Sequence, residues 1–475
     1  MSYKSVVIIG AGPIGLMAAI EARQNFVKNV TVIEKRRSYT RTNVPYLATP
    51  IVKHLENIGV ANDVWGDRKT TDSVELSQME EGLFKQARAL GIKIERGYIM
   101  EGLMGRDKNR HGRYKSIAIT IREWDDVNKC NKRMGEIKTL ECDLLIVCSG
   151  GAAAADPVVV QKLGFTFHKL QAKNYGAYGI FTPLSRAPNT NVNTQDPTFK
   201  GLRTEAQKIT GFEVAYSTPE HNYLLVTLAQ CPRDDFKMLQ RDSKKLREVL
   251  QAVGHSMTTT VLTEIKEVEK NVGLFKIAIQ RAHQFYSKEY PAVLVGDAAV
   301  TPHPQAGSGI GTGFAGFEEL QKLFAALKKA HRSNNNEAVF QNFNTAYELH
   351  ASRKALEGTG LVLSNLIKML NGWRRDVDAE IATSKSTAAK TMAQDMIHAA
   401  DALIKQLTDE QTSCKKFVDL LKDEDPDLLD WDSTVGDLWD KIGATYKAIK
   451  SFTDGMSLLT DRLEKIEPLL KLKAA

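Results

Sequence analysis

Val6-Val-Ile-Ile-Gly-Ala-Gly-Pro-Ile-Gly-Leu-Met-Ala-Ala-Ile20 is the stretch whose reading decides how this chain folds. Its apolar start reads as a strand buried on both faces, and the small-residue stretch from Leu16 as the helix that leaves it. Between them Gly10, Gly12 and Gly15 space a turn as GxGxxG, with Pro13 and Ile14 inside it. Glycine is needed where a Cβ would hold the backbone away from a dinucleotide's pyrophosphate. The open N–H groups and dipole of the helix N-terminus then hold the phosphates. A second strand, residues 29–33, runs into Glu34, 19 positions beyond Gly15, where a carboxylate accepts the hydroxyls of an adenosine ribose. A glycine turn alone is weak evidence; here strand, turn, helix, strand and acid stand in order.

Outward from that unit, Lys35-Arg36-Arg37, Arg41 and Asn43 follow the acid. Positive charge there neutralises a diphosphate or a nicotinamide 2′-phosphate, or simply faces solvent. Residues 49–58 carry Ile51, Leu55 and Ile58 at helical spacing, with His54 on the polar side as a surface residue. Residues 72–90 form an amphipathic helix through Leu76, Met79, Leu83, Phe84, Ala87 and Leu90 that stops at Gly91. Strands are expected at residues 92–98 and 114–124. A buried apolar strand at residues 142–148 ends in Ser149-Gly150-Gly151, a second place of close backbone approach.

From about residue 174 to 287 the texture changes to antiparallel alternation, with strands at 175–184, 212–218, 222–228 and 273–281. Such an insertion makes a roof over a cofactor, with Tyr175, Tyr178, Phe212 and Phe275 available to line it. The chain then returns through the buried strand Ala292-Val-Leu-Val-Gly-Asp297 to a Pro- and Gly-rich loop and a helix from 314 to about 330. A carboxylate fixed at a strand end, Asp297, takes a sugar or ribityl hydroxyl, and the loop presents bare N–H groups to a flat electron-accepting ring.

The 475 residues exceed one core, and 43% apolar with 25% charged residues is the balance of a globular protein. No run reaches the roughly 20 apolar residues of a membrane span and no N-terminal signal peptide is read, so no membrane span is expected. Cys130, Cys142, Cys148, Cys231 and Cys414 lack metal or disulfide spacing, which points to a reducing, cytoplasmic setting and no metal site. Residues 376–475 hold 13 Lys and Arg against 20 Asp and Glu, a net −7, leaving +14 on residues 1–375. A basic body attracts phosphorylated cofactors and an acidic protein partner. No RNA- or DNA-binding signature is present, so no nucleic acid is expected.

The late motif Gly296-Asp-Ala-Ala299 with Pro304, Gly307, Gly309 and Gly313, paired with the N-terminal GxGxxG, resembles the FAD-dependent group A flavoprotein monooxygenases of the para-hydroxybenzoate hydroxylase fold. It departs from their pattern at Val300 and Gly311. Glu34-Lys-Arg36, Arg41-Thr-Asn43, Gln78 with Leu83-Phe-Lys85, and Gly309-Ile-Gly-Thr-Gly-Phe314 bring the texture closest to the MICAL-type flavin domain. The resemblance covers about residues 1–330. It implies an α/β chain with a Rossmann-like FAD-binding domain over residues 1–172 and 288–375 and an antiparallel-sheet substrate domain over 173–287; outside it, apolar positions at helical spacing predict a C-terminal helical domain over 376–475.

It also implies FAD, with NADPH or NADH as transient co-substrate and oxygen activated as a flavin C4a-hydroperoxide that hydroxylates or oxidises an organic substrate. Gly10, Gly12, Pro13, Ile14, Gly15, Glu34, Lys35 and Arg36 fall on the adenosine half. Arg41, Asn43, Gln78, Gly150, Asp297, Pro304, Gly307, Gly309 and Ile310 fall along the flavin half. His303, in the flavin loop, and Asn43 are the candidates for steering or protonating an intermediate. Ser149 stands where the family commonly has Asp. The substrate is a small molecule or, by the MICAL likeness, a side chain of a protein partner. The alternative is a catalytically weak FAD-binding interaction protein acting through its helical tail. Helices read at 337–355 and 361–373 continue the catalytic body, and in the tail helices are read at 388–407 and again around 417–421, 439–449 and 456–470.

Overall fold

The computed structural model describes residues 3–170 and 279–423 apart from 26, 42–44, 46, 67–73, 110, 126–129, 132–134, 303–308 and 331–335; beyond these it describes the strands at 175–181, 212–217, 222–228 and 272–276 and scattered positions elsewhere. The organising unit forms as read. Strand β1 (Ser5–Ile9) is buried from Val6 onward, helix α1 (Pro13–Gln24) starts on Pro13, and strand β2 (Asn29–Glu34) lies parallel to β1 with Val6 opposite Val30. Proline suits that first helical position because its missing N–H would have no partner there. Ile8, Leu16, Met17, Ile20 and Ile33 are fully buried, each worth about 1.5–3 kcal/mol of apolar burial.

Helices α2 (Thr49–Asn57), α3 (Ala61–Trp65) and α4 (Leu76–Ala89) lead to strand β3 (Lys93–Arg96), which pairs parallel to β2. The chain then turns at Gly97, whose φ of +80° suits glycine and whose N–H donates to the Glu34 carbonyl at 2.7 Å. Where the sequence predicts one strand at 92–98, this turn therefore separates β3 from β4 (Tyr98–Lys108). Strand β4, β5 (Tyr114–Asp125), the two-residue β6 (Cys130–Asn131) and β7 (Ile137–Cys142) pair antiparallel around β5. Strand β8 (Leu144–Val147), wholly buried, re-enters the parallel sheet beside β1.

Strand β9 (Phe167–Leu170) precedes the inserted antiparallel sheet of β10 (Tyr175–Phe181), β11 (Phe212–Ser217), β12 (Asn222–Leu228) and β13 (Val272–Lys276), ordered β11-β12-β10-β13. The fourth predicted strand, 273–281, divides. Strand β14 (Ile279–Ala282) leaves this sheet to pair with β9 and with β16 (Val300–Thr301). Strand β15 (Ala292–Leu294) completes a parallel sheet of order β15-β8-β1-β2-β3. The order reverses beside β1, and a crevice opens there outside the carboxyl ends of the strands.

The C-terminal part is helical: α5 (Gly309–Ala315), α6 (Phe317–Ala330), α7 (Asn336–Thr383) and α8 (Thr387–Asp423). The helix predicted from 314 starts earlier and is interrupted at Gly316. The two helices predicted at 337–355 and 361–373 are one, and the expected domain start at residue 376 lies within it. Glycine costs about 1 kcal/mol in a helix, but Leu356, Thr359, Leu363, Leu366 and Leu370 are buried across the Glu357-Gly-Thr-Gly360 stretch, and that packing carries the helix through. Arg374 Nε of α7 lies 2.8 Å from Asp401 of α8, a partly exposed ion pair. No described helix is long and apolar enough to cross a membrane. The helices read at 439–449 and 456–470 lie mostly outside the described residues.

Candidate functional site

Four strand ends of the parallel sheet, those of β1, β2, β8 and β15, open onto the crevice and bring the two glycine-rich motifs together. A Cβ on Gly10 would lie 2.4 Å from the Cys148 carbonyl oxygen, and one on Gly15 would lie 2.0 Å from the Gly10 carbonyl oxygen, so the turn closes only with glycine at both. Gly10 also has φ +103°. Gly12 differs: its φ is −74°, and the first atoms a Cβ would meet are Arg41 Nη2 at 3.4 Å and Glu80 Oε1 at 3.9 Å. Its bareness therefore keeps open the space in front of α1.

The second motif meets the first through Ile14. A Cβ on Gly313 would lie 2.8 Å from Ile14 Cγ1 and 3.2 Å from Gly296 Cα, and a Cβ on Gly296 would lie 3.3 Å from the same side chain. The Gly296 N–H donates to the Tyr347 hydroxyl at 2.7 Å. Asp297, on the one-turn 3-10 helix Gly296–Ala298, stands at this junction. Burial pushes its carboxyl up to about 6, against the pull of Arg41.

Around the adenosine side, Glu34 accepts from Ala11 N at 2.8 Å, from Arg36 N at 2.9 Å and from Arg36 Nε at 3.0 Å. Burial raises its proton affinity, but the Arg36 bonds and charge and the Ala11 N–H prevail and hold the carboxyl below its usual range. Arg36 Nη2 reaches Glu80 at 3.4 Å, and Arg41 Nη2 donates to the same Glu80 oxygen. Lys35 is exposed, with its ammonium 5.9 Å above the Trp124 ring. Gln78 stands exposed on the first turn of α4, beside Ser77, whose N–H donates to the Arg41 carbonyl at 3.0 Å. Gly150, with φ +74°, opens the 3-10 turn Gly150–Ala155, and Gly309 and Ile310 open α5. Asn43, His303, Pro304 and Gly307 lie outside the described residues.

Glu80 and Tyr347 were not read as site residues. Glu80 does carry a signal: it falls at a core-facing position of α4 between Leu76, Met79 and Leu83, where a charge needs partners. Tyr347 carries none, since its spacing with Phe340 and Phe343 reads as core. His54, expected on the surface, is half-buried, its ring edge-on to Phe314 at 5.3 Å and to Phe317 at 5.1 Å. The α5–α6 segment folds over it, and burial pushes its pKa down against Glu21.

The fit of a dinucleotide can be judged from what the crevice leaves unmatched. Arg41 Nε, Glu80 Oε2, Ser149 Oγ and Thr312 Oγ1 are buried polar atoms without a hydrogen-bond partner. Buried groups of this kind are rare without a ligand or water to meet them. They stand beside the cradle at Gly12, at the end of β8 and on α5 within the second motif: Arg41 Nε, Ser149 Oγ and Thr312 Oγ1 can donate to an elongated, phosphate-bearing ligand, whereas the carboxylate oxygen of Glu80 accepts.

Residues 4–174 match the family model described as pyridine nucleotide-disulphide oxidoreductase. The rat [F-actin]-monooxygenase MICAL1 is 27% identical over 238 residues, which is 47% of this chain and 20% of that protein. The Drosophila melanogaster [F-actin]-monooxygenase Mical is 39% identical over 94 residues, 19% of this chain and 2% of that protein. The chain thus spans a fifth or less of the length of these relatives. Among solved structures, the anhydrotetracycline hydroxylase OxyS from Streptomyces rimosus superposes with a TM-score of 0.51 at 16% identity, covering 94% of this chain and 76% of that one. In sequence the chain is similar to the MICAL monooxygenases, and in fold to the hydroxylase OxyS, with a Rossmann-like core, a separate antiparallel sheet and a helical C-terminal region.

Proposed function

We propose that this chain is a FAD-dependent monooxygenase that uses NADPH or NADH and dioxygen to hydroxylate or oxidise an organic substrate. The observation that carries the reading is the junction of Ile14 with Gly296 and Gly313, which packs together two motifs about 280 residues apart and so supports one elongated site. Bound FAD would supply transient two-electron reduction by the nicotinamide and transfer of one oxygen atom to substrate, the other leaving as water. The chain's own residues bind and orient it. The N-terminus of α1 with Arg36 and Arg41 neutralises the diphosphate, Glu34 accepts the ribose hydroxyls, and Asp297 accepts from the ribityl chain. Asn43 and His303 are assigned to the reacting face. The division into residues 1–172 with 288–375, 173–287 and 376–475 belongs to this proposal.

A second reading, oxidation of a side chain on an acidic protein partner, is favoured by the +14 charge of residues 1–375 and by relatives that bear the name [F-actin]-monooxygenase. The test is the visible spectrum of the purified protein followed by anaerobic addition of NADPH and NADH. A yellow protein bleached by either nucleotide supports the enzyme. A colourless protein that takes up no added FAD overturns it, and a yellow protein that neither nucleotide bleaches favours a binding protein that keeps FAD as a structural plug.

A further inference from the structure

The carboxylate of Glu80 has no exposed surface and lies on α4, facing the mouth of α1. One oxygen receives both Arg36 and Arg41 and would be 3.9 Å from a Cβ on Gly12; the other is buried with no partner. The titratable and charged groups that face it are Arg36, Tyr39 and Arg41 from the segment after β2 and Glu34 from the end of β2, with Arg41 also acting on Asp297 of the second motif; burial pushes the Tyr39 hydroxyl up to about 12, so it stays protonated through the range tested below. A buried carboxylate at the place where a diphosphate is to sit opposes that ligand by like charge, yet it also holds the two guanidinium groups the ligand needs. Protonation resolves the conflict, because the protonated acid still accepts through one oxygen while its idle oxygen carries the proton.

We propose that Glu80 is the positioning residue of the diphosphate cradle, gathering Arg36 and Arg41 in front of α1 and taking up one proton from solvent when the diphosphate of a dinucleotide arrives. This rests on the FAD reading above. The direction of the Glu80 shift agrees with it: burial raises its proton affinity above that of an ordinary glutamate, outweighing Arg41 and Arg36.

The test is FAD binding to flavin-free protein, followed by flavin fluorescence between pH 7 and 9, where Asp297 is already ionised. Wild-type affinity should weaken as pH rises, by up to about tenfold per pH unit for one proton taken up. Glu80→Gln, neutral at every pH and still an acceptor for both arginines, should bind with a flat profile and more tightly than wild type at pH 9. Glu80→Ala, which releases the guanidinium groups, should bind at least tenfold more weakly than Glu80→Gln. Calorimetry in two buffers of different ionisation heat should count close to one proton taken up by wild type and close to none by Glu80→Gln. A wild-type slope retained in Glu80→Gln overturns the proposal, as does Glu80→Ala binding as tightly as Glu80→Gln. Failure of the wild type to bind FAD at all overturns the flavoprotein reading, and this one with it.

Discussion

The hydroxyl of Tyr347 accepts the N–H of Gly296 at 2.7 Å, and its ring fills the space that Gly316 leaves bare, where a Cβ would lie 2.1 Å from the ring. One side chain of α7 thereby fixes the strand end that carries Asp297 and the break between α5 and α6. Tyr347→Phe keeps the ring and leaves a buried N–H unmatched, which costs about 1–3 kcal/mol. Gly316→Ala drives a methyl into the ring and costs about the same or more. Thermal unfolding should show both losses, and an unchanged melting temperature in Gly316→Ala would mean the ring is free to move.

The three glycines of the first motif should separate into two kinds. Gly10→Ala and Gly15→Ala meet backbone oxygen at 2.4 and 2.0 Å and should lose several kcal/mol or fail to fold. Gly12→Ala has ordinary backbone and open space to 3.4 Å, so its stability should stay within about 1 kcal/mol of wild type while FAD affinity falls tenfold or more. Flavin titration alongside thermal unfolding distinguishes the two behaviours.

Asp297 sets a pH dependence. Its carboxyl titrates near 6 in the folded chain against 3.8 in the reference state, so the folded protein holds the proton more tightly. The resulting stability is fully present below about pH 4 and is lost as pH rises through 6. Asp297→Asn should therefore raise the stability of flavin-free protein at pH 7–8 by about 1–3 kcal/mol, at roughly 1.4 kcal/mol per pH unit discounted for partial exposure. It should gain little at pH 4. A pH-independent difference between the two proteins would show that the carboxyl is not buried from solvent.

Arg113 fastens the start of β5 to the rest of the body. Its side chain is 7% exposed, donates to the Ser287 carbonyl at 2.9 Å and the Tyr290 carbonyl at 3.0 Å, pairs with Glu337, and lies 4.4 Å from the Phe340 ring. Arg113→Met should cost about 2–4 kcal/mol, because it leaves buried carbonyls and a carboxylate without their donor. Denaturation monitored by tryptophan fluorescence checks the size of the loss.

Most of the parallel core was legible in the sequence because β1, β8 and β15 are buried on both faces and so read as unbroken apolar runs, and because Gly10 and Gly15 have no alternative residue. The inserted sheet was legible from alternation. What escaped was decided by contacts distant in sequence. Nothing local tells that Gly316 interrupts a helix while Gly358, Gly360 and Gly372 do not; a ring 31 positions later decides it. Glu80 was legible only as a charge out of place, since its partners arrive from residues 36 and 41. His54 looked polar by periodicity and was covered by Phe314 and Phe317 from the far end of the domain.

Helix α7 runs unbroken for 48 residues, about 72 Å at the usual rise. Near one end it meets Gly296 through the Tyr347 hydroxyl, and near the other Arg374 faces Asp401 of α8 in a partly exposed ion pair. The strand end that carries Asp297 and the outer helix α8 therefore border opposite ends of one continuous element.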